Sequence, residues 1–153
     1  MSDRAVERGV PDDVLSELQE TTLTAALLRQ RMPGSRQPVA IPGLELLLAG
    51  GMIELLDEHL AQQLNLDGLP TPMRRRSRAQ LSAAFATSAW QTRYHLAFAA
   101  PERENGHIRL RLVLERLSAN VAEPFELVSG IEIVFRRDGE RWVAASEPNV
   151  FVA

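Results

Sequence analysis

Residues 107–117, HIRLRLVLERL, are the stretch that decides the fold. Ile108, Leu110, Leu112 and Leu114 alternate with Arg109, Arg111, Val113 and Glu115. Side chains on a strand repeat every two residues, so one face is wholly apolar and the other carries charge. That is the signature of a half-buried strand in an antiparallel sheet. Burying each of the four aliphatic side chains is worth roughly 1.5–3 kcal/mol before chain entropy is subtracted. A slip of one residue would drive Arg109 and Arg111 into the core, which specifies the register.

Working outward, Trp90, Thr92, Tyr94, Leu96 and Phe98 alternate with Gln91, Arg93, His95, Ala97 and Ala99, which predicts a second strand rich in aromatics. Asn105-Gly106 is the turn signal between the two. Residues 120–124 make a further connection. Ile131, Ile133 and Phe135 then alternate with Glu132, Val134 and Arg136, and Asp138-Gly139 turns the chain into Arg141–Ala145. Pro148 ends the last strand, and the final NVFVA can tuck against the sheet edge.

Upstream the periodicity changes. Residues 1–10 are polar, without a repeat, and read as a flexible terminus. Pro11-Asp12-Asp13 reads as a helix start, and Val14, Leu15, Leu18, Thr22, Ala25, Ala26 and Leu28 form an apolar stripe up to about Arg31. Pro33-Gly34 ends it. From Leu44 to Leu64, Ile53, Leu56, Leu60 and Leu64 recur three or four apart, which predicts a second helical region, interrupted at Gly50-Gly51. Its first half, Leu44 to Leu56, is more apolar than one helix on one sheet needs. Residues 67–72 form a loop. Residues 79–88 fit either a helix behind Ser77 or a short strand through Leu81, Ala83 and Phe85, and the strand is preferred.

The architecture expected is α+β: N-terminal amphipathic helices packed on one face of a curved antiparallel β-meander of four or more strands. Residues 11–153 read as a single domain, with helices over 11–66 and the sheet over about 79–147.

A chain of 153 residues can bury its own core. There is no cysteine, which excludes disulfides, thiolate metal sites and cysteine nucleophiles and fits a reducing compartment. All 17 basic residues are arginine, read first as the mark of a GC-rich bacterial genome. The net charge of −3 argues against a general nucleic-acid binder. The first residues have no apolar core of a secretory signal, and no apolar run is long enough for a membrane span, so the cytoplasm is the expected location.

Catalytic and metal motifs are missing. His59, His95 and His107 form no HxH, HxxxH or HExxH pattern, so no metal and no cofactor is expected. His59 falls in the acidic helical segment. His95 and His107 share the charged sheet face and, as neighbours, could form an acid/base site with Glu115 or Glu132. Ser129-Gly130 lacks the frame of a nucleophile elbow. The densest charge feature is Arg74, Arg75, Arg76 and Arg78, which could hold a phosphate, a carboxylate-rich partner or single-stranded nucleic acid. No aromatics interleave with it, which disfavours nucleic acid. Arg93, His95, Arg109, Arg111 and Arg136 rise on the face away from the apolar core, a candidate dimer interface or anion-binding wall.

The leading expectation is a small soluble non-catalytic module that works by protein contact, as a homodimer or in a larger assembly. The alternative starts from FRRDGERWVAAS, residues 135–146, at the end of helices followed by a curved sheet. This pattern is similar to that of the nuclear-transport-factor-like (SnoaL-like) superfamily, which includes polyketide cyclases and epoxide hydrolases. The resemblance implies a small-molecule pocket between helices and sheet, lined here by Trp90, Tyr94 and Phe98. A third reading is an accessory binder of an anionic ligand or nucleic acid through Arg74–Arg78.

Overall fold

The computed structural model describes residues 9–48, 51–86, 92–118 and 123–153. Helix α1 (Asp12–Leu28) starts behind Pro11, with Asp12 and Asp13 in its first turn at the positive end of the helix dipole. It ends at Arg29, whose left-handed conformation (φ 54°) turns the N–H of Gln30 back onto the carbonyl of Ala25 (2.9 Å). Leu15, Leu18, Leu23, Ala26 and Leu27 form its buried stripe. Gln19 is also fully buried. Its Nε2 donates to the carbonyl of His59 (2.8 Å) and its Oε1 accepts from the N–H of Ala61 (2.9 Å), tying the 57–64 loop to the helix.

The second helical region is much shorter than its periodicity implies. Helix α2 spans only Leu44–Leu48, and the chain continues as strand β1 (Ile53–Leu56). Every residue of β1 is buried. An interior strand covered on both faces loses the alternation that marks a half-buried one, and a short apolar run then looks helical. Of the apolar residues in 44–56, Leu44, Leu47, Ile53, Leu55 and Leu56 are taken up inside the fold, while Leu46 and Met52 stay exposed. Residues 49–50 lie outside the described part, and Gly51 carries the turn into β1 with φ +88°.

Strand β2 (Met73–Arg76) occupies the arginine cluster, which no apolar alternation marks as a strand. Residues 78–86 form helix α3 (Arg78–Ala86), not a strand. A capping box sets its start: Gln80 N–H donates to Ser77 Oγ (3.0 Å) and Ser77 N–H to Gln80 Oε1 (2.8 Å). Leu81 and Phe85, four apart, are its buried face.

The remaining strands are β3 (Thr92–Phe98), β4 (Glu102–Glu104), β5 (His107–Ser118), β6 (Phe125–Asp138), β7 (Arg141–Ala144) and β8 (Asn149–Val152). They curl into a single sheet in the order β2-β1-β3-β5-β6-β7, with β4 on β5 and β8 on β6. From β3 onward the pairing is antiparallel, and both Asn105-Gly106 and Asp138-Gly139 turn hairpins as expected. The sheet is nevertheless mixed, because β1 runs parallel to both β2 and β3. An antiparallel-only meander is therefore corrected, since two parallel pairings need long connections, here the 57–72 loop and α3.

The core has two parts. On the inner face, Ile108, Leu110, Leu112 and Leu114 of β5 join Leu96, Phe98, Ile131, Ile133, Phe135, Ile53 and Leu55, with the α1 leucines in the same cluster. On the outer face a smaller cluster joins Leu81 and Phe85 of α3 to Leu56, Ala97, Val113 and Leu117. Outside the described residues fall most of the expected flexible terminus (1–8), Trp90 and most of the 120–124 connection.

Candidate functional site: a charged lattice on the outer sheet face

The strand period of β2 parts the arginine cluster. Arg75 falls on the opposite side of the strand from Arg74 and Arg76 and, though exposed, donates to the carbonyls of Leu64 (2.7 Å) and Ala61 (3.2 Å), a structural brace for the loop that follows β1. Arg74 and Arg76 point outward, in register with Glu54 and Leu56 of β1.

Glu54 is the centre of the arrangement. Its side chain is only 3% exposed, yet three guanidiniums reach it: Arg74 Nη2 at 3.0 Å and Arg76 Nε at 2.9 Å on Oε2, and Arg93 Nη2 of β3 at 2.8 Å on Oε1. Burial pushes its carboxyl up, but the hydrogen bonds from Arg76 and Arg74 and the charge of Arg93 outweigh this and hold it below the usual carboxylate range. A carboxylate in this position must be ionised and paired.

Two residues along β3, on the same face, His95 is 1% exposed. Its register partner is Glu115, and Nε2 lies 2.8 Å from Glu115 Oε1. That hydrogen bond holds the Glu115 carboxyl below its ordinary value against partial burial, with the charge of Arg78 adding to the effect. Arg78, at the start of α3, gives its Nε to Glu58 (2.8 Å) and lies 3.9 Å from Glu115. A register shift between Leu114 and Glu115 leaves Val128 without a partner on β5, so Leu127 and Phe125 turn to the outer face. Phe125 then covers His95 edge-on (centroids 5.8 Å apart) while Arg78 lies over its ring at 4.7 Å.

The β5–β6 part of the face is more open. Arg109 contacts Glu102 (2.9 Å) and lies 3.9 Å from Glu132, and Arg111 contacts Glu132 (2.8 Å) and lies over Phe151. Arg136 is exposed on β6. A groove of about 470 Å³ runs beside the β4–β5 hairpin, lined among others by Glu102, His107 and Arg109.

The structure thus places Arg93, Arg109 and Arg111 outward as expected, but corrects the histidines. His95 is not on a wet surface: it is buried, paired with Glu115 and covered edge-on by Phe125. His107 is not its neighbour: it sits at the hairpin opposite Glu104, eight residues along β5 from Glu115. His59 lies in an exposed turn with φ 63°, not in a helix. Of the expected pocket residues, Phe98 is 2% exposed within the inner core and Tyr94 is half-buried there, hydrogen-bonded with Arg116. Among the described residues no group of three or more histidine or acidic side chains could hold a metal, and no helix is long and apolar enough to cross a membrane.

Glu54 and Glu58 are the functional candidates that periodicity did not single out. The available signal was a lone acid inside the apolar run Met52–Leu56, which must find cations if that run is buried. No family model, curated protein or solved structure matches this chain.

Proposed function

We propose that this chain is a non-catalytic assembly module that pairs with a second copy of itself through the open β5–β6 part of its outer sheet face. The observation that carries the reading is charge balance. Glu102, Glu104 and Glu132 share this face with Arg109, Arg111 and Arg136, so two copies can approach without net repulsion. Phe151 and Val134, both half-buried, supply apolar surface between the charges. A two-fold contact uses the same patch twice, and a patch carrying both signs can complement itself. The lack of cysteine and the lack of a long apolar helix among the described residues are compatible with the cytoplasm, the location we propose.

Sedimentation velocity over a concentration series tests this. The expected result is a concentration-dependent dimer, weakened at least tenfold by Arg111→Glu or Glu132→Arg alone and partly restored in the doubly swapped variant. A strict monomer up to about 1 mM, where even an association of about −4 kcal/mol would register, overturns it.

A further inference from the structure

At the other end of the same face, we infer that Arg74, Arg76 and Arg93 form a binding site for a doubly charged oxyanion, with a phosphate monoester as the ligand class. This inference is independent of the self-association proposed above, because it uses different strands and different side chains.

Three cations here converge on one anion. Nη2 of Arg74 and Nε of Arg76 lie within 3.0 Å of the same oxygen of Glu54, and Arg93 holds the other oxygen. Arginine stays charged under all ordinary conditions, and Glu54 is held ionised, so two positive charges are left over. Arg78 does not add to this surplus, because it is already paired with Glu58 and lies 3.9 Å from Glu115. Among the described residues no other carboxylate pairs with Arg74, Arg76 or Arg93. Like charges held this close repel, and an anion from solution relieves the repulsion.

Glu54 also supplies preorganisation. It is buried beneath the guanidiniums and fixes one edge of each. Arg74 is exposed and Arg76 and Arg93 are half-buried, so their other N–H groups remain within reach of solvent. A guanidinium fork held in place loses less freedom on binding than a free one, and it matches the paired oxygens of phosphate. The surplus of two charges selects a dianion over a monoanion. A monoester therefore fits better than a diester, which carries one charge.

The test is an NMR titration of the whole chain at low ionic strength, following the arginine Nε–Hε resonances. The probes are inorganic phosphate, phenyl phosphate and dimethyl phosphate. We expect saturable shifts of the Arg74, Arg76 and Arg93 signals, with the two dianions binding at least tenfold more tightly than dimethyl phosphate. Arg74→Gln changes an exposed side chain that the fold tolerates, and it should weaken phosphate binding at least fivefold. Arg141→Gln, an exposed arginine of β7 outside both this cluster and the proposed self-association surface, should leave it unchanged. Three results would overturn the proposal: no saturation by 20-fold excess over a low-millimolar Kd, equal binding of the diester, or an equal loss in Arg141→Gln. If phenyl phosphate surpasses inorganic phosphate the source is an organic monoester, and if the order reverses the ligand is free phosphate.

Discussion

Arg76 Nε lies 2.9 Å from Oε2 of Glu54, and this contact joins β2 to β1 across the outer face of the sheet. It exists because β1 and β2 run parallel in register, with Glu54 opposite Arg74 and Leu56 opposite Arg76. A single carboxylate thus fastens these two short strands to β3, through Arg93.

Removing that carboxylate should cost more than removing any one of its partners. Glu54→Gln leaves three guanidiniums without their anion in a partly buried setting. It should destabilise the fold by about 2–4 kcal/mol in urea titration. Arg74→Gln, whose side chain is 47% exposed, should cost less than about 1 kcal/mol. A loss for Arg74→Gln as large as that for Glu54→Gln would show that the carboxylate is not the anchor.

Acid should act on the same group. The carboxyls of Glu54 and Glu115 are both held below their ordinary value of 4.5 in the folded chain. A folded-state value below the unfolded one means stability is fully present above 4.5 and is lost as pH falls through the lower folded values. The urea midpoint should therefore be flat with respect to these groups near neutrality and fall below pH 4.5. In Glu54→Gln this acid limb should be shallower, and an identical limb in both proteins would remove Glu54 from the explanation.

Gln19 offers a separate test of how the loop after β1 is held. Its amide bonds both the carbonyl of His59 and the N–H of Ala61 from a fully buried position. Gln19→Leu keeps the volume but strands two backbone groups, a cost of about 2–4 kcal/mol. Limited proteolysis should cut first within residues 57–64 in this variant, and protection equal to the parent chain would refute the tether.

Gly130 has no room for a side chain. A Cβ there would come within 2.7 Å of the Leu112 carbonyl oxygen and 2.6 Å of the Phe151 ring. Gly130→Ala should lower stability by about 1–3 kcal/mol, as overpacking does. Hydrogen exchange should show β8 opening first, since Phe151 can move and the Leu112 backbone cannot. Unchanged protection of residues 149–152 would count against this.

Half the sheet is legible in the sequence alone. Ile108 to Leu114 alternate because β5 is buried on one face and charged on the other, and its register with β6 keeps Arg111 beside Glu132. The two hairpin turns are legible for a local reason: Asn105 and Gly106 both adopt positive φ, and Gly139 does too. The stretches that mislead are those whose state depends on neighbours. Residues 53–56 look helical because β2 and β3 cover both edges of β1 and its two faces are buried, erasing its alternation. Residues 78–86 look like a strand as readily as a helix until Ser77 and Gln80 close their capping box.

The chain's own residues determine the antiparallel half of the sheet, the first helix and the charged outer face, because each is written in local periodicity or turn chemistry. The parallel half, the burial of His95 and the gathering of Arg74, Arg76 and Arg93 on Glu54 are decided by tertiary structure alone. Glu54 and Arg93 lie 39 residues apart in the chain, and the pairing of β1 with both β2 and β3 brings them within hydrogen-bonding reach, as the pairing of β3 with β5 does for His95 and Glu115.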